Sequence, residues 1–343
     1  LLKYMPDVIS KVIDISEYYE KKKCNGEVHR NTLLLKQMYD NLTKKNNQLD
    51  IIKKVFSYHS ENYEELFEKI NWIEGDINDL VSLSNAFKDI TEVYHCAAFI
   101  SFDSKDFKSL EKINVEGTAN MVNCSLDNKI EKFCHVSSIA AIGETKIKPI
   151  DEDCEWKETS NPYSQTKYNA EMEVWRGISE GLNAVIVNPG VIIGSGFWKR
   201  GSGAIITQIS RGMKYYPPGK TGFICVEDVV KIMVELMNKN IFSERFILIS
   251  ENWTQKKFIS LVSDHLSLNP PKKRASKSLM MLALFLDFSR SLILNKRRRL
   301  SKAIIESSNS KNEYSNKKIV SKLNYKFKKI EKAIEETCLN FKN

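Results

Sequence analysis

The chain has 343 residues, 42% hydrophobic and 28% charged, a globular composition that excludes collagen-like, low-complexity and wholly disordered chains. Its longest uninterrupted apolar run is the eight residues Leu279 to Leu286, far short of the ~20 needed to cross a bilayer. The net charge of +9 is uneven, with 21 Lys and Arg against 8 Asp and Glu in residues 250–343 and 31 against 35 in residues 1–249.

In chain order, the first 47 residues are rich in Lys, Asn and Tyr and read as helix or coil. They begin with Leu1 and show no compact apolar core behind a basic start, so no secretory signal is expected. Between residues 70 and 250 short apolar runs alternate with longer amphipathic stretches. The runs are 71–74, 92–97, 132–137, 184–188 and 245–249, and the stretches are 80–88, 105–126, 162–180 and 227–238. Buried strands alternating with helices predict an α/β fold, a Rossmann-like doubly wound parallel sheet. Ligands in such sheets bind at the C-terminal strand ends. Four of these ends carry small or polar residues: Gly75-Asp76, Cys96-Ala97-Ala98, Ser137-Ser138 and Asn188-Pro189-Gly190. The last hundred residues read as a mostly helical lobe, with helices at 255–265, 278–294 and 328–341 separated by Pro270-Pro271 and a polar stretch around 307–315. The 278–294 segment is apolar almost all round and is followed by Lys296-Arg297-Arg298-Arg299. It suits burial or a membrane surface, and burial is favoured because Asp287 and Arg290 interrupt the apolar surface.

The domain boundaries expected are an atypical segment 1–47, a cofactor domain 48–250 with an insertion around 195–222, and a basic substrate lobe 251–343. The basic lobe would attract anionic lipid or an anionic ligand, although a solvated Lys-rich surface is the plainer reading. No recognised nucleic-acid-binding fold accompanies the charge, so no nucleic-acid partner is expected. Seven cysteines without C-x-x-C spacing, and five histidines without H-x-H or H-E-x-x-H, point to reduced thiols, a cytoplasmic protein and no metal site.

The string with chemical content is Asn161-Pro162-Tyr163-Ser164-Gln165-Thr166-Lys167. Pro162 suits the first turn of a helix capped by Asn161 or Ser160. Tyr163 and Lys167 then share one helical face. A nearby ammonium favours the phenolate, and a tyrosine tuned this way can exchange a proton with a carbonyl or hydroxyl oxygen. Y-x-x-x-K alone arises by chance in many helices. Here Ser138, 25 residues upstream at a strand end, could hydrogen-bond the same substrate oxygen.

With these residues in place the chain resembles an extended short-chain dehydrogenase/reductase of the NAD-dependent epimerase/dehydratase superfamily, most like the dihydroflavonol-reductase and 3β-hydroxysteroid-dehydrogenase-like branch. The matching elements are G-D-I at 75–77, H-C-A-A at 95–98, N-V-E-G-T-A-N at 114–120, V-S-S-I-A-A-I-G at 136–143, Y-S-Q-T-K at 163–167, N-P-G-V-I-I-G at 188–194 and F-I-C-V-E-D-V-V at 223–230. The resemblance implies NAD or NADP as cofactor and runs from about residue 48 to the end. It gives Tyr163 the role of acid or base. Lys167 would bind the nicotinamide ribose and lower the tyrosine pKa, and Ser138 would orient the substrate oxygen. Asp76 and Ile77 would contact adenine, Ala97 and Ala98 the phosphate–ribose path, and Pro189 the carboxamide. Asn114, Asp228 and His95 match structural positions. The family's T-G-x-x-G-x-x-G is absent, since residues 1–110 hold only Gly26 and Gly75. The chain as given is therefore expected to bind its cofactor weakly.

The reaction expected is hydride transfer between nicotinamide and a secondary alcohol or ketone. Aromatics at 99–102, 197–198 and 215–216 suggest a hydrophobic small-molecule substrate. The alternatives are a nucleotide-sugar epimerase or dehydratase, or a non-catalytic protein that keeps the fold without the cofactor loop.

Overall fold

A computed structural model describes residues 70–342 apart from 144–148, 197, 199–200, 295–297 and 299, together with four strand residues ahead of them, Thr32, Leu33, Lys36 and Gln37. The strands of the main sheet are β1 (Thr32–Leu33), β4 (Glu92–His95), β5 (Lys132–Val136), β6 (Ala184–Pro189) and β10 (Glu244–Leu248). They lie in the order β1-β4-β5-β6-β10, and every pairing is parallel. A separate parallel ladder joins β2 (Lys36–Gln37) to β3 (Glu74–Gly75). The two strands at 32–37 correct the expectation of helix or coil there, as far as those four residues go; the rest of the 1–47 segment, with Gly26, lies outside the described residues.

Both faces of the sheet are covered, as a continuous apolar strand requires. Successive residues of β6 point to opposite sides. Val185 and Val187 join one core with Cys134, Phe246 and α6 (Val226–Asn238). Ala184 and Ile186 join the other with Phe133, α1 (Leu80–Ala86) and α3 (Gly117–Asp127). Helix α2 (Phe107–Leu110) runs into α3 through a π-helical turn, Glu111–Glu116. Helix α4 (Pro162–Ser179) packs on that second face.

A second core belongs to the other lobe. Its sheet is β11 (Glu251–Thr254), β9 (Lys220–Cys225) and β7 (Val191–Ile193), with β11 antiparallel to β9 and β7 parallel to it. Against it pack α5 (Gly201–Ser210), α7 (Gln255–His265) and α11 (Ile330–Lys342), burying Ile206, Phe223, Trp253, Phe258 and Ile334. A short ladder pairs β8 (Tyr215–Tyr216) with β12 (Lys273–Arg274). The remaining helices are α8 (Lys277–Ile293), α9 (Lys302–Asn309) and α10 (Lys317–Leu323). Helix α10 does not join the lobe: Ile319 and Leu323 are buried in the first core, beside the parallel sheet.

One expectation is overturned here. Helix α8 is not buried, since Asp287 is its one buried residue. Its apolar residues face outward, and the charged pair read as interrupting the surface is turned inward: Arg290 holds Asp287 at 2.7 Å. Among the described residues no helix is long and apolar enough to cross a membrane.

Candidate active site

Three parallel strands end at one edge, and their last residues are small. Ala97 and Ala98 follow β4, Ser137 and Ser138 follow β5, and Pro189 closes β6 in register with Leu248 of β10. Ser138 is extended and caps the 3-10 turn Ile139–Ala141, its Oγ accepting from the Ala140 N–H at 3.1 Å. Helix α4 starts beside it. Asn161 is the cap, its Oδ1 accepting from the backbone N–H groups of Tyr163 at 3.1 Å and Ser164 at 3.4 Å, with Pro162 in the first turn. This cap places Tyr163 in the first turn, half-buried, with Ser138 near enough to act on its hydroxyl. The Phe102 ring meets Tyr163 edge-on, centroids 5.6 Å apart.

Lys167 lies one turn further on and is only 1% exposed. Its Nζ donates to the Val136 carbonyl at 3.0 Å. Burial brings the ammonium down from 10.5 to about 8, against the opposing pull of Glu171 and Cys96. Burial likewise pushes the Tyr163 phenol up to about 12, with the Ser138 side chain acting the other way. The expected lowering of the tyrosine by Lys167 is therefore not found. The ammonium is committed to Val136, and desolvation dominates the phenol. At neutral pH this tyrosine holds its proton and is a donor.

Beneath the pair is a buried polar network that the motif does not reveal. Glu171, one turn below Lys167, is fully buried. It accepts from Ser137 Oγ, from Asn188 Nδ2 at 2.5 Å and from Arg245 at 3.4 Å. Asn188 also donates to the Ser138 carbonyl at 3.0 Å, tying the network to the serine. A signal was available: Glu171 lies between Ala170 and Val174 on a stripe that is otherwise buried, and a buried acid needs partners. Its partners lie on β6, β10 and the β5 end, far off in sequence.

The residues matched to structural positions behave so. Asn114, in the π-helical turn, accepts from Phe99 N at 2.6 Å and donates to Phe99 O and Thr166 Oγ1 at 3.0 and 3.1 Å. Asp228 accepts from Tyr325 Oη at 2.9 Å and Lys328 N at 3.0 Å. His95 Nε2 is 2.9 Å from Thr118 Oγ1, and burial takes its pKa down to about 3. Its neighbour His135 is fully buried with neither ring nitrogen hydrogen-bonded.

The cofactor candidates divide. Ala97, Ala98 and Pro189 line the strand edge beside Ser138. Asp76 follows β3 in the separate ladder, exposed, with Oδ1 accepting from Asn78 N at 2.9 Å. The Ile77 side chain is 1% exposed in the second-face core, and its carbonyl is held by Asn120 at 3.0 Å. The side chain is thus not brought to the edge. The edge fits the nicotinamide–ribose half of a dinucleotide: small residues allow a flat ring to approach, and Lys167, bonded once, has two further N–H groups. For the diphosphate half the described residues beside β4 hold no glycine-rich turn. Beside β4 the chain offers β1, and only Leu34 and Leu35 separate β1 from β2.

Of the aromatic groups, Phe102 meets Tyr163. Trp198 packs on Phe341 at 4.9 Å and Tyr216 against the lobe core, and Phe197 lies outside the described residues. A surface cleft of about 520 Å³ lined by Lys220, Trp253, Lys257, Tyr314 and Asn316 contains none of Ser138, Tyr163 and Lys167.

The chain is similar to known proteins. Sterol demethylase protein B of Methylococcus capsulatus is 30% identical over 187 residues, 52% of this chain and 56% of its own. A protein of Synechocystis named as a candidate dihydroflavonol 4-reductase is 30% identical over 218 residues, 59% of this chain and 62% of its own. The chain thus spans less than two thirds of either relative. UDP-glucuronic acid 4-epimerase from Bacillus cereus, solved in complex with NAD, superposes with a TM-score of 0.64 at 19% identity, covering 85% of this chain and 86% of that one, a likeness of fold. The sequence profile of the NAD dependent epimerase/dehydratase family matches residues 37–248, starting ahead of residue 48 and stopping at the end of β10. With a parallel sheet covered on both faces and more than half its length matched by that profile, the chain belongs to the NAD-dependent epimerase/dehydratase family.

Proposed function

We propose that this protein is an NAD(P)-dependent oxidoreductase acting on a secondary alcohol or ketone. The observation that carries this reading is the meeting of Ser138, at the end of β5, with Tyr163, in the first turn of α4, above the buried Lys167 ammonium. When bound, the nicotinamide supplies or accepts the hydride. Lys167 would hold its ribose through the two N–H groups not given to Val136, and Ala97, Ala98 and Pro189 would line its path. Ser138 would hold the substrate oxygen. Tyr163, kept protonated by burial, would donate its phenolic proton to that oxygen as negative charge develops there, and would accept it back in the oxidative direction.

The edge-on Phe102 makes the immediate surroundings of the reacting oxygen apolar. That supports a hydrophobic substrate, in line with the relative named as a candidate dihydroflavonol 4-reductase. A nucleotide sugar is the second reading, favoured by the fold likeness to a UDP-glucuronic acid 4-epimerase.

The test is Tyr163→Phe, followed by NAD(P)H absorbance against hydrophobic ketones and by chromatography of the product sugars with UDP-sugars, whose epimerisation leaves no net change in NAD(P)H. Turnover is expected to fall by at least ~100-fold, the usual contribution of a positioned acid, with folding and cofactor affinity nearly unchanged. Full turnover by the purified variant would overturn the role. Turnover of UDP-sugars alone would replace the first reading by the second.

A further inference from the structure

Helix α8 carries its polarity the wrong way round for a protein surface. Of its large apolar residues, Met281, Leu282, Phe285, Leu286, Leu292 and Ile293 are 45–81% exposed. The spacings 281, 285, 292 and 282, 286, 293 place them on one stripe. The opposite side faces the protein and carries Asp287 and Arg290 beside the half-buried Met280, Ala283 and Leu284. Asp287 accepts from Arg290 and from Leu300 N at 3.0 Å, and the Met280 sulfur takes the Asn309 amide at 3.4 Å. A surface helix ordinarily buries its apolar stripe and exposes its charges. Here the apolar stripe has no cover among the described residues.

The charges around the stripe indicate what covers it. Residues 272–302 hold ten Lys and Arg against one acid, Asp287, which is already paired inward. Lys272, Lys273, Arg274 and Lys277 are exposed at the N-terminal end. Lys296-Arg297-Arg298-Arg299 follow the C-terminal end. The Arg298 guanidinium lies 4.4 Å over the Phe288 ring, so at least one of these cations borders the apolar residues. Two such stripes pressed together would bring together two segments that each carry a net charge of +9 over residues 272–302, ten cations less one acid, which argues against a second copy of this chain as the occupant. An apolar stripe rimmed by cations matches an anionic bilayer surface, where acyl chains take the stripe and headgroup phosphates the rim. A 17-residue helix is about 25 Å long, suited to lying in the interface and too short to cross it.

We propose that α8 and its basic flanks dock this protein on an anionic lipid surface, with the helix lying in the plane of the interface. Neither signal anchors a protein firmly alone, and the two together do. Binding is therefore predicted to need both apolar insertion and anionic lipid.

The test is cosedimentation of the full chain with vesicles of phosphatidylcholine alone and with about 30% phosphatidylserine. Binding is expected to the anionic vesicles, at least ~10-fold weaker on the neutral ones and in ~1 M salt. The double variant Phe285→Asp, Ile293→Asp changes exposed positions and is expected to keep its circular dichroism while losing at least ~10-fold in binding. Leu286→Trp is expected to gain emission that brominated acyl chains quench. No sedimentation with anionic vesicles would overturn the proposal. So would binding untouched by the Asp substitutions, which would mean charge attraction only. Dimerisation that the Asp substitutions abolish, without vesicle binding, would assign the stripe to a second copy instead.

Discussion

Replacing Lys167 with methionine should make the protein more stable while removing its activity. The residue is 1% exposed, and its pKa falls from 10.5 to about 8. At ~1.36 kcal/mol per pH unit, holding the charged form in the folded state costs about 3 kcal/mol at neutral pH. Methionine fills similar volume without the charge. The lost hydrogen bond to the Val136 carbonyl offsets about 1 kcal/mol, leaving a net gain of about 2 kcal/mol. The sign follows from proton counts. Between pH 8 and 10.5 the unfolded chain keeps the lysine proton and the folded chain has released it, so the cost of Lys167 falls with pH in that window and the advantage of Lys167→Met shrinks toward zero. The buried Cys96, raised from 9.0 to about 12, acts in the opposite sense above pH 9 in wild type and variant alike, so the effect is read as the difference between the two proteins. Urea unfolding followed by tryptophan fluorescence at pH 7 and pH 10 measures both effects. A variant less stable than wild type at pH 7, or a gap independent of pH, would refute the assignment of Lys167 as a charge held at a cost. The same variant should bind nicotinamide cofactor more weakly, read by calorimetry.

Glu171→Leu removes a shared acceptor of Ser137, Asn188 and Arg245, leaving the Arg245 charge only the Glu152 carbonyl, and should cost about 3 kcal/mol in urea unfolding, whereas Glu171→Gln, which keeps an oxygen for Asn188, should cost distinctly less; equal losses would dissolve the network. Gly190→Ala would put a Cβ 2.3 Å from Ile249 Cδ1 and 2.4 Å from the Gly222 carbonyl oxygen; the backbone atom cannot yield, so a loss of about 1–3 kcal/mol is expected as a fall in Tm. Replacing residues 1–47 with a strand–T-G-x-x-G-x-x-G–helix unit should raise NAD or NADP affinity at least ~10-fold in calorimetric titration; micromolar binding by the unaltered chain would show that another segment cradles the phosphates.

The strands β4, β5, β6 and β10 were legible because each is short and largely apolar, as β5 and β6 are, so composition alone marks them, whereas the two-residue strands β1 and β2 are too short to show a pattern. The β9–β11 pair was not. Glu-Asn-Trp-Thr at 251–254 has no strand pattern, and its extended form comes from pairing with 220–223. Helices α9 and α10 each bury only two residues, Ala303 with Ile305 and Ile319 with Leu323, too few to show a period. Helix α8 misled in the opposite sense. Its composition suits a core, and only the fold reveals that Asp287 rather than the apolar stripe turns inward. At the site, the spacing of Tyr163 and Lys167 is local and readable. The commitment of the ammonium to Val136, and the convergence of Ser137, Asn188 and Arg245 on Glu171, depend on how strands far apart in sequence are laid side by side.

The two cores are separate in space but interleaved along the chain. After β6 the polypeptide builds β7, α5 and β9, returns for α6 and β10, leaves again for β11 and α7, and comes back once more as α10 before α11 completes the lobe. A nascent chain emerging from the ribosome has every buried residue of the second-face core once Ile186 is out. The other face of the sheet waits for Ile319 and Leu323, and the lobe waits for Ile330, Ile334 and Cys338. A chain stopped ahead of residue 319 would carry two open hydrophobic faces, a substrate for chaperones and proteases rather than a smaller folded domain.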